Sequence, residues 1–333
     1  MRNLEKSACL SIVVPCFNEE EVIRATNSRL IAAAEATGLS FEIVYVDDGS
    51  VDATASILRE LQTADERIRV VQLSRNFGHQ VAITAGLEHA SGDAVVLIDA
   101  DLQDPPELIH EMVGRWLEGW DVAYGVRTDR DGETIFKTQT AKLFYRVMNA
   151  LSSTPIPLDT GDFRLMDRKV VDALLSMPER DRFLRGMITW VGFRQTPVLY
   201  QRSARYAGTT KYPFKKMLRF AMDGVFSFSV IPLKLATFLG LASSCLALIG
   251  GVLAVINRVW TDHWTVGWTS LFLAILFLGG VQLTCVGIIG EYVGRTYGEA
   301  KRRPLYFVQE RLGFSKSVQP LAQRSAVAGK QRQ

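Results

Sequence analysis

The chain has 333 residues, a formal net charge of +3 and 48% apolar residues. A charge so close to neutral argues against a nucleic-acid-binding protein. None of the four cysteines belongs to a C-x-x-C pair, which argues against a zinc or disulfide framework. The first residues lack the pattern of a signal peptide, so we expect the N-terminal part of the chain to stay in the cytoplasm.

Residues 10–125 alternate between short apolar runs and helical stretches. Short runs rich in Val, Ile and Leu, separated by helices, are typical of a parallel sheet that is covered on both faces. The pattern predicts a doubly wound α/β domain, in which ligands bind beyond the carboxyl ends of the strands. The predicted strands are 10–15, 42–47, 69–74 and 94–99, and the predicted helices are 19–37, 52–65, 78–90 and 105–118.

Residues 126–212 are less regular, with glycines, prolines and charged residues between short predicted elements. Asp104, which precedes Pro105, has the pattern of a helix N-cap. Asp162 follows two nearby prolines and is therefore expected on a loop. We also expect helices near 134–151, 167–176 and 181–191, and a strand near 194–201.

The last third of the chain changes character. Residues 235–256 and 264–290 carry no charge, and about 20 apolar residues span the hydrocarbon core of a bilayer. Lysines and arginines flank these two runs, which by the positive-inside rule places both flanks in the cytoplasm and the short loop at 257–267 outside. Basic amphipathic segments at 214–228 and 142–151 are expected either on the membrane surface or in ordinary core packing.

Two carboxylates follow the predicted strand at 94–99. Asp99 and Asp101 stand at positions i and i+2, so both can converge on one cation at the strand end. Hard divalent ions prefer oxygen ligands, and Mg²⁺ keeps positions for water and for substrate phosphates. The pattern predicts a metal site that holds a nucleoside diphosphate, although acidic pairs are also common at solvated turns.

Two further strand ends carry polar residues. Asp48 follows the strand at 42–47, where it could accept hydrogen bonds from a base or a ribose, or else serve in a turn. Pro15 and Glu19 stand at the end of the first strand. Because the carboxyl ends of parallel strands meet at one edge of a sheet, we expect these residues in the same crevice as Asp99.

Several motifs resemble those of a known family. The motifs I-V-V-P-x-F-N-E-E, V-D-D-G-S-x-D-x-T, L-S-R-N-F-G and D-A-D-L-Q-D-P-P-E are similar to those of the family 2 inverting glycosyltransferases, which have the GT-A fold. Residues 160–165, 205–211 and 290–295, with the two apolar runs, most closely resemble the bacterial polyprenyl-phosphate glucosyltransferases that supply lipid-linked glucose for O-antigen glucosylation. Dolichyl-phosphate mannose synthases are more distant relatives, and the resemblance covers roughly residues 8–310.

The resemblance implies a role for each matching residue. It assigns the divalent metal, Mg²⁺ or Mn²⁺, to Asp99, Asp101 and Gln103. It assigns the nucleotide-sugar to Pro15, Glu19, Asp48, Asp99, Gln103 and Arg127. It assigns phosphates of the donor or acceptor to Arg164, Arg205 and Lys211, and the catalytic step to Asp101, Arg127 and Asp162.

The role of Asp162 stays open at this point. It matches the proposed catalytic carboxylate of the family, yet the acceptor phosphate is already anionic near neutral pH and does not obviously need a strong base. Asp162 would act as that base, orient the acceptor, or pair with Arg164. Arg205 and Lys211 suit a lipid phosphate, although a positive-inside anchor alone would also explain them.

The resemblance also implies the reaction. We expect transfer of glucose from UDP-glucose to undecaprenyl phosphate, with inversion, at the cytoplasmic face of the bacterial inner membrane, for modification of cell-envelope glycans. UDP-aminoarabinose, UDP-GlcNAc and GDP-mannose remain alternative donors. A processive polysaccharide synthase is disfavoured because the chain has only two predicted spans and no Q-x-x-R-W motif. A non-catalytic membrane scaffold is disfavoured because it would tolerate loss of Asp99 or Asp101, yet both are present.

These patterns divide the chain into four predicted regions. They are a cytoplasmic GT-A domain at 1–212, an interfacial amphipathic helix at 213–231, a membrane domain at 232–293 with helices at about 235–256 and 268–290, and a cytoplasmic tail at 294–333. Both termini are expected in the cytoplasm. Glycine pairs at 250–251 and 279–280 permit close helix contact, so a homo-oligomer is expected, although packing within one chain explains them equally well.

Overall fold

The computed structural model describes residues 8–127, 160–201, 231–260 and 267–314. These residues belong to two compact units, of which the second contains the two long C-terminal helices. The chain rejoins the first unit at Arg303. Arg205, Lys211, the segment at 142–151 and nearly all of the predicted interfacial helix lie outside the described residues, so the predictions made for them stay predictions.

A mixed sheet forms the centre of the first unit. Its order is β7-β5-β6-β4-β1-β2-β3-β8, and β6 and β8 run antiparallel to the strands beside them. Every residue of the fourth strand is buried, as expected for an apolar run in a sheet that is covered on both faces. The strands are β1 (Cys9–Cys16), β2 (Ser40–Asp47), β3 (Ile68–Leu73), β4 (Ala94–Leu97), β5 (Val122–Arg127), β6 (Thr160–Asp167), β7 (Gln195–Tyr200) and β8 (Val308–Leu312).

Helices connect these strands and supply the rest of the core. Trp116 of the fourth helix is fully buried, and its indole N–H donates to Asp167 at 2.8 Å, so the largest core side chain keeps its polar atom satisfied. The helices of the first unit are α1 (Ile23–Glu35), α2 (Thr54–Ala64), α3 (His79–His89), a 3-10 turn (Pro106–Leu108) leading into α4 (Ile109–Leu117), α5 (Arg168–Ser176) and α6 (Leu184–Trp190).

The predicted α/β order is confirmed, with two differences in the sheet. The strands and helices predicted for residues 10–125 are all present, as is the strand predicted near 194–201. The parallel sheet predicted for residues 10–125 is confirmed for β1 to β4. The first difference is that β5, β6 and β8 were not predicted as strands, and the second is that β6 and β8 run antiparallel to the strands beside them. Local patterning cannot reveal that β8, at the far end of the chain, pairs with β3.

The described part of the second unit contains two helices, α7 (Ile231–Trp260) and α8 (Trp268–Ala300). Both helices extend beyond the uncharged runs from which they were predicted. The thiol of Cys285 lies 3.3 Å from the carbonyl oxygen of Ala236, so the start of α7 packs near the middle of α8. Both helices are long and apolar enough to cross a membrane, and at most 6% of each apolar stretch is buried.

Candidate active site

The strand order reverses at β1. β2 and β3 follow on one side of β1 and β4 lies on its other side, and such a switch point opens a crevice at the carboxyl ends of the strands. Pro15 is buried within β1, and Glu19 follows in a half-buried loop. Asp48 follows β2 and Asp99 follows β4. The structure thus brings these predicted residues to one edge of the sheet.

The loops that follow β1 and β2 are joined by hydrogen bonds. The backbone N–H of Asn18 donates to the hydroxyl of Ser50 at 2.9 Å, and the Asn18 side chain accepts from the N–H of Val51 at 2.9 Å. The N–H of Glu19 donates to the hydroxyl of Thr54 at 2.8 Å. Because each loop satisfies polar groups of the other, the two loops hold each other in place on this side of the crevice.

Residues 77–80 contact three of the predicted carboxylates. Their first two backbone N–H groups donate to the two oxygens of Asp48, at 2.7 and 2.9 Å. Nε2 of His79 lies 3.2 Å from Oδ2 of Asp162 and 3.5 Å from Oδ1 of Asp99. Although burial alone would lower it, the charges of Asp99 and Asp162 raise the pKa of His79 to about 9. This short segment therefore connects the ends of β2, β4 and β6.

Asp162 lies in a strand and not on the predicted loop. It belongs to β6, which pairs with β5 between Thr160 and Met166 and with β4 from Arg164 to Asp167, and this pairing of the strand outweighs the effect of the preceding prolines. Nε of Arg185 donates to Oδ1 of Asp162 at 2.8 Å, and the Asp162 side chain is 8% exposed. Despite this burial, Arg185 and His79 hold the pKa of Asp162 well below its usual range. Asp162 is thus an ionised partner of two cations.

Arg164 does not pair with the carboxylate of Asp162, which was one of the predicted arrangements. Its guanidinium donates instead to the backbone carbonyls of Gly161 and Asp162, at 2.8 and 3.2 Å. Arg164 is buried, and this burial lowers its pKa to about 10. These contacts fix the start of β6, and binding of a phosphate by Arg164 stays a prediction.

Asp99 and Asp101 fit a divalent cation. Oδ1 of Asp99 is buried without a hydrogen-bond partner, and burial raises the pKa of Asp99 to about 6. Asp101 accepts the backbone N–H of Gln103 at 3.1 Å. Within the described ranges, no group of three His, Cys, Asp or Glu side chains is arranged around one point. Water and substrate phosphates would therefore complete the ligand set, as is usual for Mg²⁺.

Arg127, the last residue of β5, is held by a buried pair of side chains. Its Nε donates to the hydroxyl of Tyr200 at 3.2 Å, and this hydroxyl donates to the carboxylate of Asp104. Asp104 is 2% exposed, so its interpretation as a helix N-cap is wrong: Pro105 takes that position without a side-chain cap. The buried carboxylate of Asp104 turns inward and sets the position of Arg127.

Sequence reasoning missed His79, Arg185 and Tyr200. The first could have been found, because β3 ends at the same edge as β1, β2 and β4, and the loop that follows β3 leads directly to His79. Arg185 and Tyr200 come from α6 and β7, and no local pattern indicates that these elements reach the crevice.

Comparison with known proteins gives this arrangement a family. Residues 11–175 match the model described as "Glycosyl transferase family 2", and residues 231–296 match the one described as "GtrB C-terminal hairpin". Among solved structures, the chain is similar to glucosyl-3-phosphoglycerate synthase from Mycobacterium tuberculosis in complex with Mn²⁺, UDP and glucosyl-3-phosphoglycerate. The TM-score is 0.47 and the identity 21%, and the match covers 66% of this chain and 78% of the other.

Two curated relatives match over nearly their whole length. An uncharacterized glycosyltransferase of Bacillus subtilis, YkcC, is 51% identical over 91% of this chain and 94% of its own. The prophage bactoprenol glucosyl transferase homolog of Escherichia coli is 41% identical over 90% of this chain and 98% of its own. Since the identity extends through both units, the chain belongs to glycosyl transferase family 2 and is a glycosyltransferase.

Proposed function

We propose that this enzyme transfers glucose from UDP-glucose to a polyprenyl phosphate, undecaprenyl phosphate in bacteria, at the cytoplasmic face of the membrane. The observation that carries the proposal is the contact of residues 77–80 with Asp48, Asp99 and Asp162. It joins the predicted nucleotide, metal and acceptor carboxylates in one crevice. The relative named as a bactoprenol glucosyl transferase homolog supports the choice of sugar and lipid.

The exposed surface of the second unit supports a membrane acceptor. Among the described residues, most of the exposed large apolar side chains lie on α7 and α8. Exposure of so many apolar side chains on two helices would be unfavourable in water, and a bilayer would cover them. Two long apolar helices that are hardly buried are therefore better explained as membrane spans than as core helices of a water-soluble domain.

The return of the chain to the sheet supports a cytoplasmic location for both flanks of the hairpin. β8, which follows α8, pairs with β3 at Val70 to Leu73. Strands of one sheet occupy one compartment, so two crossings by α7 and α8 bring the chain back to the side on which it started. With the positive-inside rule, this side is the cytoplasm of a bacterial inner-membrane protein.

The residues of the crevice would act by binding and orientation. Pro15, Glu19 and Asp48 would hold the nucleotide, Arg127 the donor phosphates, and Asp99, Asp101 and Gln103 a Mg²⁺ or Mn²⁺ ion. Such an ion would neutralise negative charge on the departing diphosphate and so stabilise the leaving group. An oxygen of the acceptor phosphate forms the new bond to the anomeric carbon as the bond to UDP breaks, which inverts the configuration.

The first test is transfer of label to lipid. The purified protein in detergent is incubated with undecaprenyl phosphate, Mg²⁺ and a panel of labelled UDP- and GDP-sugars, and extractable lipid label is counted. We expect label from UDP-glucose, lost with EDTA and reduced at least about 10²-fold in Asp101→Asn. Label from another sugar would change the donor only. Absence of lipid label in protein that binds UDP would refute the acceptor.

A second prediction concerns the hydroxyl of Tyr200. Tyr200→Phe removes the group that accepts from Arg127 and donates to Asp104, so Arg127 keeps only its 3.7 Å ion pair with Asp104. We expect the KM for the donor to rise about tenfold, equivalent to about 1.4 kcal/mol, with a smaller change in kcat.

Tyr45→Phe is the matched control for this prediction. Its buried hydroxyl donates to Asn27 at 3.0 Å within the core. Tyr45→Phe loses one buried hydrogen bond and Tyr200→Phe loses two, so we expect a loss of stability in both. If Tyr45→Phe raised the KM for the donor as much as Tyr200→Phe does, the effect would be one of general stability and the role of Tyr200 would be rejected.

A further inference from the structure

A series of three polar contacts runs from α6 to the end of β4. Arg185 donates to Oδ1 of Asp162 at 2.8 Å, and Oδ2 of Asp162 lies 3.2 Å from Nε2 of His79. The same nitrogen of His79 lies 3.5 Å from Oδ1 of Asp99. The side chains of Arg185 and Asp162 are only 22% and 8% exposed, so water weakens their attraction little.

The imidazole nitrogen between the two carboxylates carries one hydrogen. It can donate that hydrogen fully to only one of them, and the shorter distance is to Asp162. Oδ1 of Asp99 is accordingly left without a hydrogen-bond partner. The position of Asp162 therefore decides whether the ring of His79 is held away from Asp99 or turns toward it.

A second contact fixes the two helices that supply these side chains. Oε1 of Gln80 accepts the backbone N–H of Leu184 at 3.1 Å, and Nε2 of Gln80 lies 3.5 Å from Oδ2 of Asp162. The first residues of α3 and α6 are thereby tied together beside β6. Arg185 consequently approaches Asp162 from a fixed direction, and so does His79.

We propose that Arg185 is a positioning residue for the metal site: by holding Asp162 as the hydrogen-bond partner of His79, it keeps Oδ1 of Asp99 available to a divalent cation. The inference rests on the proposed function in taking Asp99 and Asp101 as the cation ligands. Groups that orient the surroundings of metal ligands are worth about 10- to 100-fold in metal affinity. Arg185 is expected to act through this route and not by touching the substrate.

The test is Mn²⁺ binding to the full-length protein in detergent with saturating UDP, followed by the electron paramagnetic resonance signal of free Mn²⁺. We expect Arg185→Gln to weaken Mn²⁺ binding about tenfold, because His79 then turns to Asp99. Arg185→Lys keeps a charge without the planar fork and should lose less. The control is Arg194→Gln, an exposed arginine paired with Asp121 outside the crevice, which should bind Mn²⁺ like the wild type.

The effect must pass through His79, which gives a sharper test. In a His79→Ala background, Arg185→Gln should change Mn²⁺ binding by less than about twofold. A full tenfold loss in that background, or no loss with His79 present, would overturn the inference. If Arg185→Gln does not fold, Arg185→Lys and Asp162→Asn are measured in the same two backgrounds, with the same expectations in direction.

Mn²⁺ binding and lipid labelling report separately on the two proposals. If the wild type binds Mn²⁺, Arg185→Gln binds it more weakly and no lipid label forms, the proposed acceptor is refuted and the positioning role is supported. If lipid label forms but Arg185→Gln binds Mn²⁺ like the wild type, the acceptor is supported and the positioning role is refuted. A wild-type protein that binds no Mn²⁺ in the presence of UDP would overturn both the metal assignment and this inference.

Discussion

Asp99→Asn is expected to reduce glucosyl transfer at least about 10²-fold and, at the same time, to raise the melting temperature of the metal-free protein. Transfer falls because asparagine is neutral and is a weaker ligand for a hard divalent cation than a carboxylate. The leaving diphosphate then loses most of its stabilisation by the ion. The loss should appear mainly in kcat, since the charge on the leaving group develops in the transition state.

Stability should rise because the charge of Asp99 is unfavourable without a metal. Burial and the negative charges of Asp101, Asp104 and Asp162 raise the pKa of Asp99 to about 6, and the cation of His79, 3.5 Å away, offsets only part of this. A charge that its surroundings disfavour on balance destabilises the folded state, and a neutral amide of the same shape removes that cost. The charge of Asp99 is thus expected to lower the stability of the metal-free protein while being required for transfer.

The measurement is a thermal unfolding scan in EDTA together with the lipid-label assay in Mg²⁺. Asp172→Asn is the matched control, because its carboxylate is 62% exposed and lies 3.8 Å from Arg168 on the surface of α5. It should change neither quantity appreciably. A melting temperature that falls in Asp99→Asn would contradict the view that its charge is unfavourable on balance in the metal-free protein.

Gly49→Ala is expected to destabilise the first unit by about 3 kcal/mol and to abolish donor binding. Gly49 has a φ of +71°, which costs about 1–2 kcal/mol for a residue with a side chain. A Cβ atom there would also lie 2.5 Å from the carbonyl carbon of Arg75 and 2.7 Å from the nitrogen of Asn76. These are backbone atoms and cannot rotate away, so the segment leading to residues 77–80 must move.

Gly38→Ala separates the cost of the positive φ from the cost of the close approach to neighbouring backbone atoms. Gly38 has nearly the same φ, +70°, but no atom lies within 4 Å of its Cβ position. It should therefore lose only the conformational term of about 1 kcal/mol, or roughly 2–4 °C, whereas Gly49→Ala should lose roughly 6–12 °C. Thermal unfolding in detergent and binding of UDP measure both effects. Equal shifts in the two variants would mean that the close approach to residues 75–76 does not matter.

Much of the fold followed from local patterns. The apolar runs that became β1 to β4 predicted strands, because a strand buried on both faces must be apolar throughout. The two uncharged runs predicted α7 and α8 by length alone. The strands β5, β6 and β8 did not follow, and neither did the antiparallel direction of β6 and β8, because pairing between distant segments depends on partners that a local window does not contain.

The candidate site divides in the same way. Asp48, Asp99 and Asp101 were predicted because each follows a parallel strand, and the ends of such strands must meet at one edge. Asp162 was selected by resemblance, but its environment was not foreseen. Its partner is Arg185, which is 23 residues away and on another element, rather than the neighbouring Arg164. The binding roles of all these residues stay predictions.

The sequence alone determined the α/β order, the strand ends that carry carboxylates and the two apolar helices, since each depends on spacing along a few residues. Only the tertiary structure decided which charges face one another. It placed His79 between Asp99 and Asp162, gave Asp162 to Arg185, and turned Asp104 inward toward Tyr200. Such contacts depend on how strands and helices from distant parts of the chain pack, because packing, and not local conformation, sets which side chains come within hydrogen-bonding distance.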